Sequence, residues 1–123
     1  MVLDRALLKN AAELRRIFVH ELFHFVWARM GNARRAGYEA VIQREAKERA
    51  RGELGWPAEM RKSRLPARTG RGWREYLCES FCDTGAWLYA GVKGHDEYTL
   101  AARFRKRRRA WFAEAFRGGV ARI

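Results

Sequence analysis

Two histidines separated by three residues, with a glutamate directly after the first, are the side chains best suited to chemistry in this chain: His20-Glu21-Leu22-Phe23-His24. On an α-helix, residues four apart project from one face, so His20 and His24 reach a single metal ion while Glu21 stands beside it. This is the HExxH arrangement, in which two imidazoles hold zinc and the carboxylate serves as general base. Two of the chain's three histidines fall within it. Zinc that performs chemistry takes three protein groups and leaves the fourth position open. The pattern therefore asks for a third ligand.

A second stretch supplies candidates. Tyr76-Leu77-Cys78-Glu79-Ser80-Phe81-Cys82-Asp83-Thr84 lies in a segment that reads as helix from about Trp73 to Val92. Stepping its residues by about 100° puts Leu77, Phe81, Leu88 and Val92 on one side and Glu79, Asp83, Ala86 and Ala90 on the other. The second side sets two carboxylates among small residues that let another helix approach closely. A buried carboxylate requires a cation or hydrogen-bond donors. The HExxH helix makes the matching demand, because Ile17, Phe18, Val19, Leu22, Phe23, Phe25, Val26 and Trp27 surround His20, Glu21 and His24 with apolar side chains. A metal ion shared between the two helices satisfies both.

HExxH on one helix and Glu-x-x-x-Asp on a second resembles the gluzincin branch of zinc metallopeptidases, and the small size is similar to the minimal members called minigluzincins. The resemblance covers these two helices. It implies zinc held by His20, His24 and Glu79, with Glu21 as general base and Asp83 as the carboxylate that orients a ligand histidine. It further implies hydrolysis of a peptide or protein substrate, in which Glu21 takes a proton from a water that zinc has acidified. One feature departs from the family pattern. Zincin peptidases carry a β-sheet ahead of the HExxH helix, whereas here Asn10-Ala11-Ala12-Glu13 reads as a capping box with Asn10 as N-cap. Met1 to Lys9 then leave room for at most one short strand.

Cys78 and Cys82 allow a different ligand set. Joined with His20 and His24 they give two histidines and two cysteines, the composition of a structural zinc site closed to substrate. Cys78 and Glu79 point about 100° apart, so one rotation of the helix does not present both pairs to the same ion, and the carboxylate pair also provides the partner that a ligand histidine needs. As a disulfide the cysteines are poorly placed. One helical turn separates their Cβ atoms by about 5–6 Å, against about 3.8 Å in a disulfide. Free thiols suit a reducing, cytoplasmic setting. His95 and Tyr98, at the entry to the last helix, are candidates for a transition-state donor.

The elements that must position these groups are helical. The first helix ends near Gly31-Asn32. A second runs from Tyr38 to about Leu54, with Tyr38, Val41, Ile42 and Ala46 inward and Arg44, Lys47, Glu48 and Arg51 outward. Pro57 opens a short helix through about Ser63, Leu65 to Gly72 form a loop, and a last helix spans Asp96 to Phe116, where Leu100, Phe104, Trp111, Phe112 and Ala115 recur at helical spacing. With 48% hydrophobic and 13% aromatic residues, 123 residues suit one mainly α domain, residues 1–123, of a small zincin-like kind. The apolar run from Ile17 to Trp27 is too short to span a membrane, and Asp4 and Arg5 close behind Met1 do not read as a secretory signal.

Charge carries a second functional reading. The net charge is +12, and arginine makes up 21 of the 26 basic residues. Arginine's planar fork suits phosphate and carboxylate. The run Arg103-Phe104-Arg105-Lys106-Arg107-Arg108-Arg109 is expected to present cations around most of its helix apart from Phe104, a nucleic-acid contact being the functional reading and a solvated basic helix the plain one. Two other classes thus stand beside the peptidase: a structural-zinc protein without catalysis, and a basic helical module that binds nucleic acid or a repressor.

Overall fold

The computed structural model describes residues 2–119, and side chains from residue 9 to residue 119. Five helices follow one another: α1 (Val2–Arg29), α2 (Asn32–Lys47), α3 (Trp56–Ser63), α4 (Gly70–Tyr89) and α5 (Ala102–Ala115). The described residues contain no strand, so the protein is mainly α. The expected start of the first helix is corrected: α1 runs through Asn10 and begins at Val2. Ala6, Leu7, Leu8 and Lys9 are strong helix formers, and they carry the helix past a residue that would otherwise cap it. Of the segment offered for a short strand, Met1 lies outside the described residues and the rest is helix.

Boundaries of α2, α4 and α5 move as well, and backbone hydrogen bonds account for the end of α2 and the start of α5. The second helix starts at Asn32 instead of Tyr38 and includes Gly37, where a Cβ would sit 3.1 Å from the Trp111 indole nitrogen. It stops at Lys47 in a Schellman motif. Ala50 N–H bonds the Glu45 carbonyl at 3.0 Å, Arg49 N–H bonds that of Ala46 at 3.1 Å, and Arg49 takes φ 59°, the position usually filled by glycine. The last helix starts at Ala102, six residues after Asp96, because residues 96–101 are held elsewhere: the Glu53 carbonyl accepts the N–H groups of Thr99 at 2.9 Å and Leu100 at 3.1 Å. α4 begins at Gly70, three residues before Trp73, and ends at Tyr89.

α1 packs along α4, and their approach is close. A Cβ on Gly85 of α4 would meet the Phe23 ring of α1 at 2.6 Å. Phe23, Tyr38, Trp73, Phe81 and Phe112 form the aromatic centre of the core, joined by Met30, Ile42 and Leu77. The expected apolar sheath around the HExxH residues is buried on one side only. Phe23 is 4% exposed, whereas Ile17 at the edge of the cleft and Phe18, Leu22 and Phe25 on the far side of α1 are 53%, 64%, 44% and 70% exposed. His20 thus sits at the seam between α1 and α4, with the outer face of α1 open beside it.

A second set of buried groups ties α2, α4 and α5 together, and it corrects the reading of the basic run. Arg108 is fully buried. Its Nε and Nη2 donate to the two oxygens of Glu45, at 2.8 Å each, and Nη1 and Nη2 donate to the two oxygens of Glu53 at 2.9 and 3.0 Å. Nη1 also reaches the Thr84 hydroxyl at 3.0 Å, and the Tyr76 hydroxyl donates to Glu53. Arg108 faces the core because it lies one helical turn from both Phe104 and Phe112, which are 3% and 1% exposed.

Candidate metal centre

Helical spacing alone brings His20 and His24 together: their Nε2 atoms are 3.2 Å apart. The α1–α4 crossing adds Glu79, whose Oε2 lies 3.0 Å from His20 Nε2 and whose Oε1 lies 3.6 Å from His24 Nε2. Ligand atoms around a tetrahedral zinc at about 2.0–2.2 Å stand roughly 3.3–3.5 Å from one another. The histidine pair comes near that figure at 3.2 Å, while the 3.0 and 3.6 Å spacings belong to the two different oxygens of Glu79. Asp83 stands behind His20, with its Oδ1 2.7 Å from His20 Nδ1 and its Oδ2 accepting the Ala58 N–H at 2.9 Å. An ionised carboxylate only accepts, so it fixes the hydrogen of His20 on Nδ1 and leaves Nε2 facing His24 and Glu79. His24 has a softer partner in the Cys78 Sγ, 3.6 Å from its Nδ1.

In the metal-free protein these groups pair with one another. Burial works against a charged His20, but hydrogen bonds to Asp83 and Glu79 outweigh it and raise its pKa from 6.5 to about 10. In the metal-free protein the proton on Nε2 therefore occupies the direction in which a cation would be held. The His20 hydrogen bond draws Glu79 below the ordinary carboxylate range. Burial pushes Asp83 up, while the hydrogen bonds from His20 and Ala58 pull the other way.

Cys82 also comes near: its Sγ lies within 4.8 Å of a ring nitrogen of each histidine. The histidine pair consequently faces Glu79 and Cys82 together, although Cys78, on the neighbouring row, contacts only the outer nitrogen of His24. The Cys78 contact and burial push the Cys82 thiol well above its ordinary pKa. Both the Glu79 carboxylate and the Cys82 thiol thus lie within reach of the histidine pair. Both cysteines are free thiols.

Glu21 is exposed and lines, with His20 and Asp83, a cleft of about 220 Å³ that continues to Arg16, Ile17 and Trp56. Among the described residues it makes no hydrogen bond or ion pair, which leaves its carboxylate available to a bound molecule. His95 reaches this cleft only through its neighbours. Its Nε2 lies 2.7 Å from both Glu13 Oε2 and Arg16 Nη1, and its Nδ1 accepts the Glu97 N–H at 3.0 Å. Tyr98 is 8% exposed and its hydroxyl donates to the Val92 carbonyl at 3.1 Å, while its ring lies 5.2 Å from the Arg16 guanidinium carbon. No known protein family matches the chain, and no curated protein or solved structure does.

Some groups at this site carry no motif. Arg16 is buried in the cleft wall, bonded to Glu13 at 2.9 Å and with its Nε unpartnered. It sits four residues before His20, so helical spacing could have placed it there. The Ala58 N–H and Gly55 could not have been found that way, because they meet Asp83 across 25 and 28 positions of sequence. On α5, Arg103, Lys106 and Arg109 are exposed, Arg103 and Arg107 pair with Glu48, and Arg108 is in the core. No helix among the described residues is long and apolar enough to cross a membrane.

Proposed function

We propose that the protein is a zinc-dependent metallopeptidase of gluzincin type, with His20, His24 and Glu79 as ligands. The observation that carries this reading is the convergence of those three side chains at 3.0–3.6 Å with Asp83 at the back of His20. When bound, zinc supplies a Lewis acid that acidifies water and polarises a carbonyl. The chain's own residues do the rest. Asp83 holds His20 in the tautomer that offers Nε2. Glu21, unpartnered at the cleft wall, takes a proton as water attacks the substrate amide and delivers it to the departing amine. A peptide or protein segment is the substrate, lying in the cleft beside Ile17 and Trp56. The free thiols at Cys78 and Cys82 fit a reducing, cytoplasmic setting.

A second reading is favoured by one observation, the closeness of Cys82 to both histidines. There the thiol takes the third or fourth position and zinc is structural. Zinc content and X-ray absorption of wild type, His20→Ala, Glu79→Gln and Cys82→Ser separate the two. The peptidase reading expects about one zinc per chain, lost in His20→Ala, weakened in Glu79→Gln, kept in Cys82→Ser, and bound through nitrogen and oxygen at about 2.0–2.2 Å without sulfur near 2.3 Å. Hydrolysis is tested on a peptide library with wild type and Glu21→Gln, which keeps zinc but has no base. Full zinc occupancy with equal inertness of the two proteins would remove the enzyme from the reading and leave a zinc-stabilised binding domain.

A further inference from the structure

Asp83 is 3% exposed, and the wall against which its carboxylate rests is backbone. A Cβ built on Gly55 would fall within 2.5 Å of both Asp83 oxygens. Conformation does not demand glycine there, because φ −178° and ψ 157° are extended values open to any residue. Space does.

The segment carrying Gly55 has little freedom to retreat. Glu53 and Leu54 are fully buried, and the Glu53 carbonyl is held by Thr99 and Leu100. Trp56 N–H donates to Glu97, Ala58 N–H donates to Asp83, and the Gly55 carbonyl accepts Glu59 N–H at 3.1 Å in the first turn of α3. A side chain at position 55 would therefore displace the Asp83 carboxylate, breaking its bonds to Ala58 and His20 in the same movement.

We infer that Gly55 is a positioning residue of the metal centre, its bare backbone forming the seat that holds Asp83 against His20. This rests on the zinc reading above and adds to it a residue that acts two steps from the ion. Groups that orient a ligand histidine typically change metal affinity about ten- to a hundredfold when altered. Gly55→Ala is expected to weaken zinc by that factor, and Gly55→Ala with Asp83→Ala to be no weaker than Asp83→Ala alone, because the two changes remove one interaction.

Zinc affinity is measured by competition with a chelating dye on folded wild type, Gly55→Ala, Asp83→Ala, the double variant and Gly37→Ala. The last is a control for crowding, since its Cβ would meet Trp111 on α5, away from the α1–α4 crossing. It is expected to keep zinc affinity within about twofold. In the metal-free proteins, nitrogen–proton NMR of the His20 ring reads the same contact without zinc: the protected Nδ1–H of wild type should be lost in Gly55→Ala and kept in Gly37→Ala. A Gly55→Ala protein with wild-type zinc affinity, or with the His20 Nδ1–H unchanged, would overturn the inference. If wild type takes up no zinc, the zinc reading fails by itself and the ring signal still decides the role of Gly55.

Discussion

The protein buries charge in two places, and the two are balanced by different kinds of cation. Around Arg108 the chain provides its own cation: one guanidinium lies between Glu45 and Glu53, and each of its nitrogens finds an acceptor at 2.8–3.0 Å. Around His20 two imidazoles and two carboxylates face one another, with no lysine or arginine in hydrogen-bond contact among the described residues. Both clusters join helices that are distant in sequence. The first is saturated and has nothing left to offer a ligand. The second holds an excess of donors for a cation, and in the metal-free protein only a proton on His20 meets that need. Charge count does not separate them, since each sets one cation against two carboxylates; what differs is that the guanidinium of Arg108 is fixed in the chain, whereas the proton of His20 is exchangeable for a metal ion.

The largest effect should come from breaking the saturated cluster. Arg108→Met leaves Glu45 and Glu53 buried without a cation, and removing one member of a buried ion pair costs about 3–5 kcal/mol. Urea unfolding of the metal-free protein measures this. Replacing all three members by apolar residues of similar size should recover much of the loss, because the desolvation of the charges disappears with them. A single Arg108→Met substitution that costs under about 1 kcal/mol would show that the cluster is not the closed structural unit described above.

The two centres also differed in how visible they were in the sequence. His20, His24, Glu79 and Asp83 could be found because each pair sits four apart on a helix, and a regular helix converts that spacing into a shared face. Their mutual approach then needed only that α1 and α4 pack, which the small residues near Glu79 and Asp83 announced. Arg108 stands in a run of basic residues, where nothing local separates it from Lys106 or Arg109. Its partners Glu45 and Glu53 lie 63 and 55 positions away. The same non-locality hid the end of α2, where Arg49 occupies a glycine-type position, and the start of α5, where residues 96–101 bond to the Glu53 carbonyl instead of continuing as helix. The mainly α class survived these errors because it rests on many short-range periodicities, each tolerant of a shifted boundary.

An intermediate effect separates the centres by ligand. Zinc at about 100 times its Kd should stabilise the folded protein by about 2.7 kcal/mol if it binds only the folded state. Thermal unfolding over a zinc titration reads it. Glu79→Gln should shift the titration to higher zinc and lower metal-free stability only by the weakened pairing with His20, since its loss removes no core packing. Glu45→Gln should do the reverse, lowering stability while leaving the zinc dependence in place. If both substitutions moved the zinc titration alike, the distinction between a saturated cluster and a cation-seeking one would fail.

A last effect is a pH dependence confined to the His20 centre. Burial opposes the charged ring, yet the hydrogen bonds to Asp83 and Glu79 raise its pKa from 6.5 to about 10 in the metal-free fold. A group that holds its proton more tightly when folded contributes its full stabilisation below the unfolded pKa and loses it as pH rises through the folded one. Metal-free stability from this source is therefore present below about pH 6.5 and declines toward pH 10. Glu79, drawn below the ordinary carboxylate range chiefly by its hydrogen bond to His20, acts at the acid end, and its contribution is lost as pH falls. Arg108 keeps its charge across the whole range, so the saturated cluster adds no slope between pH 6.5 and 10. Urea midpoints at pH 6 and pH 9 should fall for metal-free wild type and fall less for Asp83→Asn, whose neutral amide no longer favours the charged ring. With zinc bound the His20 nitrogen is already without its proton, and the slope should vanish. A midpoint that stays level or rises from pH 6 to pH 9 in the metal-free wild type would mean that His20 is not held as a cation between the two carboxylates.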